Sequence, residues 1–205
     1  MPTGVEIFAV LAAYALGCLN AGYYLVRWAR GEDVRRLGTG TAGARNVGRV
    51  LGPVGFAATF AIDTAKGFAA VAGARLLGVG EPWVAGAMLA VVAGHVWPAQ
   101  LGFRGGKGAS PAVGAVVTFT PWMVPALLAG GFAAWPLLGS ATTAGIAAFA
   151  LAPLLLWATD RASGETAVSL AAVAALVAFA HRSNIREESA RRREGPDEAQ
   201  SPDAR

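Results

Sequence analysis

Between Gly94 and Gly108 the chain reads Gly94-His95-Val96-Trp97-Pro98, a short apolar link, and then Gly102-Phe103-Arg104-Gly105-Gly106-Lys107-Gly108. Two apolar runs need only a turn between them, and this one carries two cations and four glycines. Glycine takes φ > 0 and bares its N–H groups. Successive bare N–H groups beside a lysine make a concave anion site. The stretch reads either as a phosphate site, formed by Lys107 with the Gly105-Gly106 backbone, or as a glycine turn with cationic membrane anchors.

Three more clusters carry groups of the same kinds. Leu37 to Arg49 holds Thr39, Gly40, Thr41, Arg45, Asn46 and Arg49; Gly139 to Thr143 holds Ser140, Thr142 and Thr143; and His181 to Arg186 holds Arg182, Ser183 and Asn184. Glycines, hydroxyls, amides and cations in separate loops suit a bound oxyanion, and a histidine among them can move a proton. Asp63 and Lys66, spaced i, i+3 on one helix face, read as a structural pair in preference to a catalytic one. His95, beside Trp97, reads as a structural hydrogen-bonding residue.

The elements that must position these clusters are membrane helices. Of the 205 residues 55% are hydrophobic, and the mean hydropathy is +0.48. The apolar residues come in runs long enough to span a bilayer. Ile7 to Val26 is twenty residues without a charge. It is too long for a secretory signal and lacks a basic start. A second run covers Val54 to Leu77, broken by Asp63, Lys66 and Arg75, and a third runs from Trp83 to about Leu101. Gly108 to Thr159 has no charged residue and is divided by Pro121, Pro125, Gly130-Gly131, Pro136 and Gly139.

Orientation sets the number of spans in that stretch. Arg104 and Lys107 precede it, while Arg182, Arg186 and Arg191-Arg192-Arg193 end the chain, and all should face the cytoplasm. The loop from Asp160 to Glu165 has one cation and two acids and suits the outer side. Three short spans before that loop and one after it satisfy both conditions. The expectation is an all-α, polytopic transmembrane bundle of about seven spans, amino terminus outside and carboxyl terminus cytoplasmic. Residues 1–186 form the membrane domain. Residues 187–205 form a charged cytoplasmic tail expected to be disordered, with its arginines on anionic headgroups.

Several functions are excluded. The net charge of +4 comes from basic residues lying between apolar runs, which orients a membrane protein and is no nucleic-acid signature. One cysteine, Cys18, and two distant histidines offer no metal site. Gly38-x-Gly40-x-x-Gly43 follows a membrane span rather than a strand and lacks the context of a dinucleotide fingerprint. Gly106-Lys107 only partly matches a P-loop, because Gly108 stands where Ser or Thr is needed.

Taken in order, the clusters resemble the bacterial acyl-phosphate:glycerol-3-phosphate acyltransferases, the integral membrane family of the PlsY type. The resemblance runs from Tyr14 to about Gly195. It is carried by Gly38-Thr39-Gly40-Thr41…Gly43-Ala44-Arg45-Asn46-Val47…Arg49, by Asp63-x-x-Lys66-Gly67, by Gly94-His95-x-x-Pro98 with Phe103 to Gly108, and by His181-Arg182-x-Asn184-Ile185. It implies transfer of a fatty acyl group from acyl phosphate to the 1-hydroxyl of glycerol 3-phosphate, giving lysophosphatidic acid for phospholipid synthesis. It implies no cofactor, membrane lipids as surroundings, and an active site on the cytoplasmic side of the bacterial inner membrane. His181, Asn184 and Lys107 stand at the catalytic positions. Thr39, Gly40, Asn46, Arg49, Gly105, Gly106 and Ser140 stand at substrate-binding ones. The sequence departs from the family pattern at Thr41, Arg45 and Ala109-Ser110-Pro111; Arg45 adds a charge beside the site.

The residues suit that reaction on their own terms. Acyl phosphate is a mixed anhydride with a good leaving group, so no acyl-enzyme is needed, and no Gly-x-Ser-x-Gly elbow is present. Two anionic substrates must be brought together, which calls for cations and N–H donors. The proton acceptor is either His181 or the phosphate of glycerol 3-phosphate. The competing classes are a small-anion transporter, which would need polar groups from face to face, and a non-enzymatic lipid-binding membrane protein.

Overall fold

The computed structural model describes residues 1–159 and 164–186. Among them every regular element is helical: α1 (Gly4–Cys18), α2 (Ala21–Arg30), α3 (Ala44–Leu76), α4 (Glu81–Val96), α5 (Ala109–Phe119), α6 (Met123–Leu138), α7 (Ala141–Ala158) and α8 (Gly164–Ala180). A further helical turn over 182–186 follows His181.

Four helical stretches have the length and apolarity to cross a membrane: Gly4–Arg30, Ala44–Leu76, Glu81–Leu101 and Ala141–Ala158. Three shorter apolar helices, Ala109–Thr118, Met123–Leu138 and Thr166–Ala180, accompany them. The uncharged stretch therefore holds three helices, the number expected from the arginine distribution. The first, α5, has eleven residues, short of the roughly 17 that a span normally needs. The outer surface is itself apolar, with Phe8, Leu11, Leu128, Phe132, Leu151 and Leu154 exposed. The loop from Asp160 and the tail beyond Arg186 lie outside the described residues.

The helices pack as α1 on α4, α3 on α5, α6 on α7, and α8 against α4 and α7. Two of these seams have no side chain between the backbones. At the α1–α4 crossing a Cβ on Gly17 would collide with the Val91 carbonyl oxygen, and one on Gly94 with that of Tyr14. At the α3–α5 crossing Gly67 and Gly114 stand in the same relation to the carbonyl oxygens of Pro111 and Thr64. Small residues let helices approach in lipid, where hydrophobic burial no longer drives association.

The first apolar run is not one continuous helix. It breaks at Leu19-Asn20, between α1 and α2. Asn20 is fully buried and its Nδ2 donates to Cys18 O at 3.2 Å. Helix ends leave carbonyls without partners, and here a side chain from α3 takes two of them. Lys66 Nζ donates to Gly17 O (3.0 Å) and Leu19 O (2.8 Å). It also lies 2.8 Å from Asp63 Oδ1 and 2.9 Å from His95 Nδ1. Lys66 is 5% exposed, His95 2% and Asp63 0%. The Asp63–Lys66 pair fastens three helices together.

The polar segment before the second run is also more ordered than its composition suggests. α3 begins at Ala44, ten residues ahead of the apolar run, and bends at Gly52, where φ is +75° and Pro53 follows. That conformation suits glycine, and proline has no N–H to continue the ladder. The bend separates a short polar helix bearing Arg45, Asn46 and Arg49 from the long apolar one.

Replacing Lys66 with alanine would leave the Asp63 carboxylate buried without its counter-charge. Lys66→Ala is expected to destabilise the detergent-solubilised protein by about 3–5 kcal/mol. Glu81→Gln, which removes only the exposed partner of Arg75 at 3.8 Å, should cost less than about 1 kcal/mol. Denaturant melts of the two variants test this; equal melts would refute the structural role.

Candidate active site

A cavity of about 470 Å³ lies where the start of α3, the loop before α5, the α6–α7 pair and the end of α8 converge. Its polar lining comprises Thr39, Thr41, Arg45, Asn46, Arg49, His95, Lys107, Ser110, Ser140, Thr142, Thr143, His181 and Asn184. Its apolar lining includes Phe56, Phe60, Val113, Val124, Leu127, Leu128, Ile146 and Phe149. No acidic side chain of the described residues lines it. Along α3 the lining passes from Arg45 and Arg49 to Phe56 and Phe60, and along α7 from Thr142 and Thr143 to Ile146 and Phe149, so the wall runs from cationic and hydroxylic at the helix starts to apolar further along.

Lys107 reaches across from its loop to the end of α8. Its Nζ donates to Asn184 Oδ1, and to Ser183 Oγ at 3.3 Å. Arg49 is exposed on the first piece of α3 and turns toward the same space. Ser140 caps α7, its Oγ accepting the Thr143 N–H at 3.4 Å, and lies in the wall.

His181 is 5% exposed. Its Nδ1 lies 2.8 Å from Val177 O. A carbonyl can only accept, so Nδ1 carries the hydrogen and Nε2 of the neutral ring keeps its lone pair. Burial lowers the imidazole's pKa below its ordinary 6.5; the Val177 bond opposes this, and the Lys107 and Arg45 charges, each a lesser effect, push it down again. In the neutral tautomer Nε2 is the ring's acceptor.

The structure thus brings seven of the ten predicted site residues to one cavity: Thr39, Asn46, Arg49, Lys107, Ser140, His181 and Asn184. Asn46 is there as an organiser. It is 1% exposed; its Nδ2 donates to the carbonyls of Val34 (3.1 Å), Leu37 (2.9 Å) and Thr41 (2.9 Å), while its Oδ1 accepts the Thr39 N–H at 2.7 Å. With every polar atom engaged, it shapes the loop that presents Thr39.

Gly40, Gly105 and Gly106 do not line the cavity. The N–H of Gly40 closes a turn onto Leu37 O at 3.0 Å. The expectation of bare N–H groups at Gly105-Gly106 needs correction. Gly105 N donates to Val96 O (3.1 Å) and Gly106 N to His95 O (3.0 Å). These glycines are small for a different reason: a Cβ on Gly105 would strike His95 O, and one on Gly106 the His95 ring. They let the loop lie flat on the end of α4 and so fix where Lys107 emerges.

Beyond the predicted set the cavity is also lined by Thr41, Arg45, Thr142, Thr143, Ser110 and His95, the last read from the sequence only as a structural residue, and by the apolar residues. Thr142 and Thr143 fell in a cluster that the sequence already marked, and Arg45 stood out as an added charge. Phe56, Phe60 and Phe149 gave no signal, because an apolar residue in an apolar chain is unremarked.

Residues 7–190 match the family model described as glycerol-3-phosphate acyltransferase. The chain is 40% identical to glycerol-3-phosphate acyltransferase 1 of Desulfitobacterium hafniense, over 89% of this chain and 90% of that one. It is likewise 40% identical to a glycerol-3-phosphate acyltransferase of Thermoanaerobacter pseudethanolicus, over 88% and 90%. Among solved structures it is similar to PlsY (YgiH), an integral membrane glycerol 3-phosphate acyltransferase. To the glycerol 3-phosphate form the TM-score is 0.83, with 29% identity over 92% of this chain and 94% of that one. To the lysophosphatidic acid form it is 0.80, with 27% identity over the same shares.

The His181 geometry makes a prediction independent of any reaction. Because its pKa is lowered, the ring should be more than half neutral at pH 6.5. Histidine-selective NMR titration, assigned with His181→Gln, should give a midpoint under 6.5 and an Nδ1–H tautomer above it. A midpoint above 6.5 would overturn this description of the site.

Proposed function

The chain belongs to the glycerol-3-phosphate acyltransferase family and is a multi-pass membrane protein, and from that premise we propose that its cavity transfers a fatty acyl group from acyl phosphate to the 1-hydroxyl of glycerol 3-phosphate, releasing phosphate and lysophosphatidic acid. The observation that carries the reading is the union, in one cavity, of a cationic end with a neutral histidine and an end lined by phenylalanines and aliphatic residues. The first suits two phosphates and a hydroxyl; the second suits an acyl chain.

In the proposed reaction Arg49, Lys107 and the Ser140 hydroxyl hold phosphate oxygens, with Thr39 at the same polar end. Lys107 is steered by Asn184, which accepts its hydrogen bond. Fixing an alcohol against an activated carbonyl removes several kcal/mol from the barrier by itself. The hydroxyl oxygen bonds to the acyl carbon, and the bond from that carbon to the phosphate oxygen breaks. The cations and hydroxyls offset the charge that builds on the leaving phosphate. The hydroxyl proton has two acceptors within reach of this design: His181 Nε2, or the acceptor's own phosphate with His181 orienting it. Gly40, Gly105 and Gly106 shape the loops that carry Thr39 and Lys107.

The proposed topology has seven passes, with the amino terminus outside, the carboxyl terminus and the site facing the cytoplasm of a bacterial inner membrane, and residues 187–205 as a cytoplasmic tail. The support is the arginine distribution and the gathering of the polar clusters at one cavity. Single cysteines replacing Arg45 and Arg161 in a Cys18→Ala background, probed on intact cells with an impermeant thiol reagent, should label at 161 and not at 45. The reverse pattern would invert the topology.

The function itself is tested by giving purified protein acyl phosphate and labelled glycerol 3-phosphate. Lysophosphatidic acid should form without coenzyme A, acyl carrier protein or divalent metal. Turnover with a thioester donor and none with acyl phosphate would overturn the donor. Lys107→Ala should lower activity at least about tenfold, on the order of 1.4 kcal/mol. Arg104→Ala, which removes an exposed cation outside the cavity, should change it little. Equal, mild effects in folded protein would remove Lys107 from the site.

A further inference from the structure

Arg45 is the second residue of α3, one helical turn before Arg49, and lines the cavity at its exposed rim. Its guanidinium donates across the mouth to Thr142 Oγ1, on the first turn of α7. This is its sole hydrogen bond among the described residues, and the partner is neutral.

Three cations among the described residues are matched to carboxylates, while Arg27 and Arg182 bond the nearby carbonyls of Gly31 and Phe179. Arg35 pairs with Asp33 at 2.7 Å, Lys66 with Asp63 at 2.8 Å and Arg75 with Glu81 at 3.8 Å. Among the described residues Arg45 has no carboxylate partner, and no acidic side chain lines the cavity it faces. A guanidinium has five donors in a planar fork that matches two phosphate oxygens, and a single hydroxyl leaves most of that capacity unused.

We propose that Arg45 is a third cation of the substrate site, parked on Thr142 until glycerol 3-phosphate enters and then taking two oxygens of its phosphate. The inference rests on the acyltransferase reading of the cavity. It assigns Arg45 to the acceptor rather than the donor for a reason of access. The donor's chain must lie along Phe56, Phe60 and Phe149, at the apolar end. The small, water-borne acceptor meets the rim first. The site has Arg49 and Lys107 to offset two phosphates, and Lys107 also bonds Asn184 and Ser183. A third cation helps bring together two anions that otherwise repel. Thr142 then serves as a resting place, holding the fork over the mouth without neutralising it.

The test separates binding from bracing. Arg45→Gln should raise the KM for glycerol 3-phosphate at least about tenfold, by a larger factor than kcat falls and with a smaller change in the KM for acyl phosphate. Arg45→Lys should recover only part of the loss, because an ammonium cannot grip two oxygens in a plane. Thr142→Ala should lower the acceptor KM, since nothing then competes for the guanidinium. Thermal-shift protection of the detergent-purified protein by glycerol 3-phosphate should weaken in Arg45→Gln, and protection by inorganic phosphate alone serves as the second probe. An unchanged acceptor KM and unchanged protection in Arg45→Gln would overturn the proposal. So would a rise in the donor KM instead, which would move Arg45 to the other phosphate. A Thr142→Ala variant as impaired as Arg45→Gln would also do so, leaving only a strap between α3 and α7. If the unaltered protein transfers no acyl group, the functional reading fails, while the thermal-shift comparison still decides whether Arg45 binds the phosphate.

Discussion

The interaction on which the rest of the structure depends is the burial of Lys66 between Asp63, His95 and two carbonyls of the broken first helix. A charge at this depth persists only if every direction around it is satisfied. Meeting that demand fixes α1, α3 and α4 relative to one another. It also fixes the His95 ring, since an ammonium can only donate and Nδ1 must therefore accept. The ring and carbonyl of His95 form the floor on which Gly105 and Gly106 lie. From that floor Lys107 reaches Asn184 and Ser183 at the end of α8, beside His181. The position of a cavity lysine thus traces back, contact by contact, to an ion pair that does not line the cavity.

Much of the site was legible because its polar residues contradict their surroundings. Lys107, Arg49, Ser140, His181 and Asn184 stand in or beside long apolar runs, where a polar group is expensive without a purpose. Their convergence followed from the placement of the clusters at one end of the bundle. What could not be read was how each residue is used. The glycines beside Lys107 suggested bare N–H groups, yet the end of α4 consumes those donors. Asn46 has the chemistry of a ligand and spends it holding its own loop. Both outcomes depend on which carbonyls lie nearby, and tertiary packing decides that.

The fold was legible to a similar depth. The all-helical class follows from composition, and the three helices of the uncharged stretch follow from the arginine distribution, with prolines and glycines marking the divisions. The break at Leu19-Asn20 does not, since Ile7 to Val26 carries no charge or proline to announce it. It exists because Lys66, forty-seven residues from Leu19, accepts the burden of the freed carbonyls. The early start of α3 was hidden by polar composition, although Gly43 supplies an extended N-cap and Ala44 opens the helix.

The glycine seams invert the usual ranking of substitutions. In most helices alanine is the mildest replacement for glycine and gains about 1 kcal/mol of helix propensity. At Gly17, Gly94, Gly67 and Gly114 the added methyl would enter a neighbouring carbonyl, and the backbone opposite would have to move. A protein engineer stiffening these helices residue by residue would find alanine harmful at these four positions. At Gly4, Gly73 or Gly145, where a Cβ meets nothing within 4 Å, the same change meets no neighbouring atom.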